Sequence, residues 1–168
     1  ISTYADGILF LSLLSGRNFE TRSYETEIAE QSFIKLKTGV YNFINETNFK
    51  RFLMIVKSAG FISPKLIRSQ NALNFAYIIY LKLKELGVNS VAIESYVRKW
   101  LVYSILTGRY SGSPESTFDF DIKQISQKPF GEYLKEKEDG ELSDAFWNAS
   151  LPQSLDTFVA SSPYFHVF

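Results

Sequence analysis

The sequence contains no cysteine and only one histidine, His166, among its 168 residues. The lack of cysteine excludes disulfides, thiolate metal ligands and cysteine nucleophiles. With one histidine and no thiol, neither a hydrolase triad nor a histidine-rich metal site can be assembled. The sequence also holds no phosphate-binding loop and no dinucleotide-binding glycine pattern. We therefore assign no catalytic residue, no metal ligand and no cofactor.

Neither sign of charge is in excess, because 18 Lys and Arg residues balance 18 Asp and Glu residues. A neutral chain does not indicate a nucleic-acid partner, although a local basic face is compatible with this balance. Long apolar runs are also missing. The longest, over 7–14, has about half of the roughly 18 residues that a membrane span requires, and it lacks the basic flank of a signal peptide. We therefore expect a cytoplasmic protein without a membrane partner.

Aromatic and apolar residues are plentiful: 16% of the residues are aromatic, with 15 Phe and 10 Tyr, and 45% are hydrophobic. A chain of this size and composition builds one domain around a thick core. The apolar residues recur at helical spacing, with Lys and Glu on the opposite faces, and no alternating segment indicates a strand. We predict an all-α fold, an irregular bundle of about seven or eight amphipathic helices, forming a single domain over 1–168.

The boundaries of these helices follow from local signals. Helices are predicted over 3–14, 32–44, 48–60, 64–70, 71–86, 90–107 and 114–126, with another inside 129–149. Ser-Pro pairs, in which serine caps the helix and proline opens it, mark starts at Ser63, Ser113 and Ser162. Glycines that favour a left-handed cap mark ends at Gly16, Gly60, Gly87 and Gly108. The buried residues should include Phe43, Phe52, Phe75, Ile79, Val97, Trp100, Leu101 and Ile105.

The two ends of the sequence predict a fragment of a larger chain. The sequence begins at Ile1 rather than at an initiator methionine. Near the other end, Ser162-Pro163 has the form of a helix start only a few residues before Phe168. His166 lies in this short terminal stretch and is not assigned to a site.

The most unusual stretch is the predicted turn 108–117, which combines a guanidinium, several hydroxyls, two glycines and a helix start. Free amides at a helix N-terminus, with Arg109 nearby, can hold a phosphate. The alternative, which we favour, is a capping turn in which Arg109 binds a backbone carbonyl or a carboxylate such as Glu115 or Asp119. Ser113 should then cap the helix that begins at Pro114. The candidate residues of this turn are Arg109, Tyr110, Ser111, Ser113, Ser116 and Thr117.

Carboxylates cluster at the end of this turn and just after it, at Glu115, Asp119 and Asp121. Paired carboxylates can bind Mg²⁺ or perform acid–base chemistry. Acidic groups in the first turns of a helix also interact favourably with the positive end of its dipole, and we favour this interpretation. Trp100 lies on a core-facing stripe, so we do not expect it to stack on a nucleobase.

Segments around the turn resemble a known family. They are 96–101 (YVRKWL), 106–117 (LTGRYSGSPEST), 119–122 (DFDI) and 161–165 (SSPYF). Together they resemble the helical middle of GmrSD-type proteins, domain of unknown function 262. In that family a Trp-bearing helix precedes an Arg-Tyr-Ser-Gly-Ser-like turn and an acidic helix. The order of elements matches from about Tyr4 onward, and the turn is the most specific part of the match.

Members of this family are modification-dependent restriction nucleases and related phage-defence proteins. They have an N-terminal ParB-like domain with an Asp-Gly-Gln-Gln-Arg-like motif, and many add a C-terminal HNH nuclease with a His-His-Ile-Phe-Pro-like motif. Both motifs are missing from this sequence, so no catalytic residue of the family can be transferred to it. The resemblance implies that the parent protein is an NTP-dependent DNA endonuclease and that this chain is not catalytic alone.

Three functions remain open at this point. The first is a helical connector or scaffold domain whose partners are the flanking domains of the parent chain and, through the parent, DNA. The second is a helical module that contacts DNA or nucleotide phosphate through Arg109. The third is an unrelated helical protein-interaction domain. The first two differ in salt dependence, because affinity based on phosphate contacts falls steeply with ionic strength.

Overall fold

A computed structural model describes residues 28–67 and 69–155. The chain divides into two compact units, Ile1–Lys50 and Arg51–Phe168. The predicted helix over 3–14, the Gly16 cap, the Ser162-Pro163 start and His166 lie outside the described residues.

The described residues are helical almost throughout. The α-helices are α1 (Ile28–Ile44), α2 (Glu46–Ser58), α3 (Gln70–Glu85), α4 (Ser90–Leu106), α5 (Pro114–Gln127), α6 (Phe130–Glu141) and α7 (Leu151–Leu155). A 3₁₀ turn covers Pro64–Leu66 and a π-helical turn covers Phe146–Ser150. No strand occurs within 28–67 and 69–155. The all-α prediction is therefore confirmed. None of these helices combines the length and apolarity needed to cross a bilayer.

Helix α1 belongs to the first unit, and its last turn is more exposed than the sequence predicts. Tyr41 and Ile44 are exposed, and Phe43 is only half-buried rather than buried. The prediction that Phe43 is a core residue is therefore wrong. The end of α1 therefore does not bury its apolar face completely.

The core of the second unit is built on the predicted apolar stripes of α3 and α4, which pack against each other. Phe75 and Ile79 of α3 are buried, as are Val97, Trp100 and Leu101 of α4. Phe52 of α2 joins this core, with its ring centroid 4.9 Å from that of Tyr77. Helix α6 packs against both α4 and α5. Burying each large side chain contributes roughly 1.5–3 kcal/mol, so the stripes explain why these helices associate.

Three glycines end helices as predicted. Gly60, Gly87 and Gly108 have φ values of 97°, 70° and 60°. At each one, the glycine amide and the next amide donate to carbonyls of the last helical turn, which is the Schellman arrangement. After α4, for example, Gly108 N donates to Ile105 O at 3.3 Å and Arg109 N to Ser104 O at 3.1 Å. This cap fixes the direction in which the chain leaves α4.

The helix starts predicted at Ser63 and Ser113 are confirmed in position, but only Ser63 forms the predicted cap. The Ser63 hydroxyl accepts from Lys65 N at 3.4 Å, although the helical turn there ends at Leu66 rather than Gln70. Helix α5 begins at Pro114, yet the Ser113 hydroxyl accepts no capping hydrogen bond. The predicted Ser113 cap is therefore wrong. Ser113 is exposed, with φ −103° and ψ 82°, so its hydroxyl faces solvent while its carbonyl accepts from Thr117 N at 3.3 Å.

Candidate functional site

Arg109 is the first residue after the Gly108 cap, and the cap turns its side chain towards the protein interior. Only 9% of this side chain is exposed. The φ of 60° at Gly108 is one that side-chain-bearing residues rarely adopt. The glycine therefore makes possible the reversal that brings the guanidinium to Asp121 of α5 and to Tyr133 and Glu141 of α6.

The principal partner of Arg109 is Asp121 of α5, whose side chain is completely buried. Arg109 Nε donates to Asp121 Oδ2 at 2.9 Å, and Arg109 Nη2 donates to Asp121 Oδ1. The two planar groups therefore meet in the bidentate geometry that suits guanidinium and carboxylate. Burial of such a pair requires that its remaining polar atoms also find partners.

Two tyrosine hydroxyls supply those partners on the carboxylate. Tyr110 Oη donates to Asp121 Oδ2 at 2.7 Å, and Tyr133 Oη donates to Asp121 Oδ1 at 2.6 Å. Trp100 Nε1 in turn donates to Tyr110 Oη at 3.3 Å. Each oxygen of Asp121 therefore accepts one bond from Arg109 and one from a tyrosine.

A second carboxylate, Glu141 at the end of α6, lies on the other side of the guanidinium. Arg109 Nη1 donates to Glu141 Oε1 at 3.2 Å and to Tyr103 Oη at 2.9 Å. Tyr103 Oη donates to Glu141 Oε2 at 2.6 Å, and Lys137 Nζ donates to Glu141 Oε1 at 3.1 Å. We call Trp100, Tyr103, Arg109, Tyr110, Asp121, Tyr133 and Glu141 the Arg109 cluster.

Every donor of the guanidinium is used within this cluster. Arginine has five N–H donors. Three of its bonds are the contacts to Asp121 and Glu141, and the other two go to Tyr103 and to Tyr133, the latter from Nη2 at 3.2 Å. With Lys137 included, two cationic side chains face two carboxylic side chains. The cluster is therefore a closed, charge-balanced network rather than an open anion site.

Aromatic rings enclose the network. The Arg109 Cζ lies 5.6 Å from the ring centroids of both Trp100 and Tyr103, within cation–π range. Beyond them, Phe75 lies 5.2 Å from Tyr110 and stacks on Phe118 at 5.0 Å. The rings keep water from the ion pair, which strengthens each of its hydrogen bonds.

The environment of the cluster fixes its protonation states. Burial raises the pKa of Tyr103, Tyr110 and Tyr133 well above the usual value, with further increases from the hydrogen-bonded carboxylates. Burial by itself lowers the pKa of Arg109, but the hydrogen bonds and charge of Asp121 outweigh it and raise that pKa. For Glu141, burial raises the pKa, yet the bonds from Tyr103 and Lys137 and the charge of Arg109 produce a net lowering. The tyrosines thus remain neutral donors.

The residues of the predicted site divide into two groups. Arg109 and Tyr110 point into the core, whereas Ser111, Ser113 and Ser116 are exposed and Thr117 is half-buried. Two side chains of the second group donate to nearby carbonyls, Ser111 Oγ to Gly108 O at 2.6 Å and Thr117 Oγ1 to Ser113 O at 3.2 Å. The structure therefore does not bring the guanidinium and the exposed hydroxyls together.

Arg109 was considered either as a phosphate-binding residue or as a structural residue that binds a backbone carbonyl or a carboxylate. The geometry matches the structural role, but the carboxylates are not the ones predicted. Its guanidinium binds Asp121 and Glu141, not Glu115 or Asp119. Glu115 is exposed and Asp119 half-buried. Within the described part of the chain, no group of three His, Cys, Asp or Glu residues is arranged to hold a metal ion.

Sequence reasoning missed Tyr103, Tyr133 and Glu141 as partners of Arg109. One signal for Asp121 was present, since it follows the buried Phe118 by three residues and so shares the core-facing side of α5. A carboxylate on that side requires a cation, and Arg109 is the nearest arginine before it in the sequence. Tyr103 and Tyr133 carry no comparable signal, because a tyrosine on an apolar stripe is an ordinary core residue.

No protein-family model, no curated protein and no solved structure matches this chain. The resemblance of the 108–117 turn to GmrSD-type proteins therefore depends on the sequence alone.

Proposed function

We propose that this chain is a helical connector or scaffold domain of a GmrSD-type restriction nuclease that acts in phage defence. In this proposal the chain itself is not catalytic. NTP use and DNA cleavage belong to flanking domains of the parent protein, and the helical domain holds those domains in position. DNA is reached through the parent.

The observation that supports this proposal is the role of the family-like turn. Its Arg and Tyr, Arg109 and Tyr110, bond to Asp121 in the interior and connect α4 to α5 and α6. A connector must transmit position without bending, and a buried, fully bonded ionic network provides that rigidity. Two residues of the most specific segment of the resemblance are therefore used for internal structure.

The phosphate-contacting alternative loses its principal residue in this arrangement. A phosphate would have to displace Asp121 from Arg109, which would leave a buried carboxylate without its cation, or displace Glu141, which would keep only Lys137. The exposed hydroxyls of Ser111, Ser113 and Ser116 carry no positive charge of their own.

The test begins with the parent reading frame and the protein that it encodes. We expect an Asp-Gly-Gln-Gln-Arg-like motif upstream of this chain and, in an HNH-bearing parent, a His-His-Ile-Phe-Pro-like motif downstream. The purified 168-residue chain should neither hydrolyse NTPs nor cut DNA, and the intact parent should do both. A reading frame without either flanking motif contradicts the proposal.

DNA binding by the isolated chain provides the second readout. A connector should show no DNA affinity that declines with rising salt, whereas phosphate contacts produce a steep decline. Polarisation of a labelled duplex over a salt series measures this difference. Salt-dependent binding that Arg109→Ala abolishes, while the fold is retained, overturns the connector assignment.

A further inference from the structure

A two-part groove crosses the second unit where α4, α6 and the π-helical turn meet. Its two parts share Glu138, Leu142 and Trp147. Their volumes are about 360 Å³ and about 510 Å³. Both lie within the range of roughly 300–1,000 Å³ that is typical of ligand-binding clefts.

The smaller part is apolar at its base. Val102 and Leu106 of α4 and Leu142 after α6 line it, together with the ring of Tyr103. The lining also includes two cationic residues, Arg98 and Lys99, and one carboxylate, Glu138. Lys99 stands on its wall and reaches Glu138 on the opposite side, with Lys99 Nζ 3.5 Å from Glu138 Oε2. The Lys99 side chain is 52% exposed, so this ion pair is a weak one that a competing cation can replace.

The larger part is acidic. Glu138, Asp139 and Asp144 line it, and none of the described residues in its lining is Lys or Arg. Asp139 and Asp144 are exposed. The indole of Trp147 forms the boundary with the apolar part and is 42% exposed. An exposed tryptophan beside several carboxylates is a favourable place for a cation, because the ring face and the acidic groups attract the same charge.

The backbone holds Trp147 in this position. It lies in the π-helical turn Phe146–Ser150, a rare conformation that is frequently found at functional sites. The Trp147 ring packs edge-on against Phe146, with centroids 5.2 Å apart. The indole is therefore supported on one side and open to solvent on another.

We propose that this groove binds a basic amphipathic segment of a partner protein. An Arg or Lys of the segment lies on Trp147 beside Asp139 and Asp144, and its apolar residues enter the part lined by Val102, Leu106 and Leu142. The inference does not depend on the proposed function, since it uses only the geometry of the second unit.

Charge and shape decide among the classes of occupant. A nucleic acid is repelled by the carboxylates of the larger part. A small organic cation satisfies that part but leaves the apolar part uncovered. A segment that alternates cationic and apolar side chains on one helical face matches both parts at once.

The chain offers a selective readout, because its two tryptophans are in different environments. Trp147 is exposed, whereas Trp100 is buried with its Nε1 bonded to Tyr110 Oη. The full chain, labelled with ¹⁵N at tryptophan, is titrated with an acetylated, amidated helical peptide of Leu, Ala and Arg. We expect the Trp147 indole signal to shift with saturation and the Trp100 signal to stay in place.

Matched variants test the acidic part. Asp139→Asn with Asp144→Asn should weaken binding by about tenfold. Glu85→Gln with Glu132→Gln changes the net charge equally at exposed positions outside the groove and should leave affinity within about twofold. Lys99→Met should strengthen binding, because it frees Glu138 for the incoming cation. Thermal melts of each variant establish that the fold is retained.

Three results overturn the proposal. The first is equal weakening by the groove and control variants, which indicates nonspecific charge attraction. The second is equal binding of a peptide in which Glu replaces each Arg. The third is a Trp147 shift with tetramethylammonium as strong as that with the peptide, which indicates a site for small cations rather than for a protein segment.

Discussion

Arg109 and Asp121 are joined by two parallel hydrogen bonds across twelve residues of sequence, with Arg109 Nε and Nη2 donating to the two oxygens of one buried carboxylate. Such a pair is strongly destabilising to break, because removal of one partner leaves the other charge buried without compensation. Removing the cation should therefore lower the free energy of unfolding by far more than the intact pair contributes to it.

Arg109→Ala should lower the free energy of unfolding by about 3–5 kcal/mol. Urea denaturation followed by circular dichroism measures the change. Arg109→Met combined with Asp121→Leu is the informative companion, since it replaces both charges with apolar groups and should lose less stability than Arg109→Ala alone. A melting temperature for Arg109→Ala equal to that of the wild type contradicts the structural role.

Alkaline pH should destabilise the second unit through the tyrosines of the Arg109 cluster. Burial raises the pKa of Tyr103, Tyr110 and Tyr133, whereas unfolded tyrosines ionise near pH 10. Above about pH 10 the unfolded state therefore binds fewer protons than the folded state, and stability decreases as pH rises. Below that pH these tyrosines contribute their full stabilisation.

The measurement is the urea midpoint as a function of pH, together with tyrosinate absorbance. Tyr133→Phe removes one of the raised groups, so the decline of its midpoint should be shallower than that of the wild type. A wild-type midpoint that does not change above about pH 10 is inconsistent with this prediction.

Gly131→Ala should destabilise α6, because a Cβ at this position would lie 2.6 Å from Tyr96 Oη. Gly140 in the same helix is the control, since a Cβ there meets no atom within 4 Å. Gly140→Ala should stabilise by up to about 1 kcal/mol through helix propensity. Tyr96→Phe removes the nearest atom and should restore part of the stability of Gly131→Ala. Equal effects of the two glycine substitutions in thermal melts count against the close approach.

Ser104→Ala should be neutral or stabilise by up to about 1 kcal/mol. The Ser104 hydroxyl is 1% exposed and has no hydrogen-bond partner among the described residues. Its burial therefore costs solvation that no bond offsets, and alanine also has the higher helix propensity. Ser58→Ala is the comparison, because the Ser58 hydroxyl donates to Ile55 O at 2.8 Å. A loss above about 1 kcal/mol for Ser104→Ala identifies a hydrogen bond that forms in solution.

The helices were predictable because their signals are local. The spacing of Val97, Trp100 and Leu101 defines one face of α4, and that face is buried. Gly108 marks the end of the same helix because only a residue without a Cβ adopts its backbone conformation easily. Such signals act within one or two turns and can be read without knowing the tertiary structure.

The partners of Arg109 were not predictable to the same degree. Tyr133 and Glu141 lie far along the chain from Arg109, and only the packing of α6 against α4 and α5 brings them together. Ser113 shows that a local signal can also fail. Its type and position favour a cap, but the backbone approach to α5 leaves the hydroxyl in solvent, and residue type alone does not fix that approach.

The closed bonding of the Arg109 guanidinium also determines how the helices around it open. If α6 detaches, Asp121 loses the Tyr133 hydroxyl and Arg109 loses Glu141 in the same event. If α5 detaches, Arg109 loses Asp121 itself. Neither helix can open without breaking hydrogen bonds of the Arg109 cluster, so α4, α5 and α6 should open and close as one foldon. Their slowest-exchanging amides should share a single opening free energy in native-state hydrogen exchange.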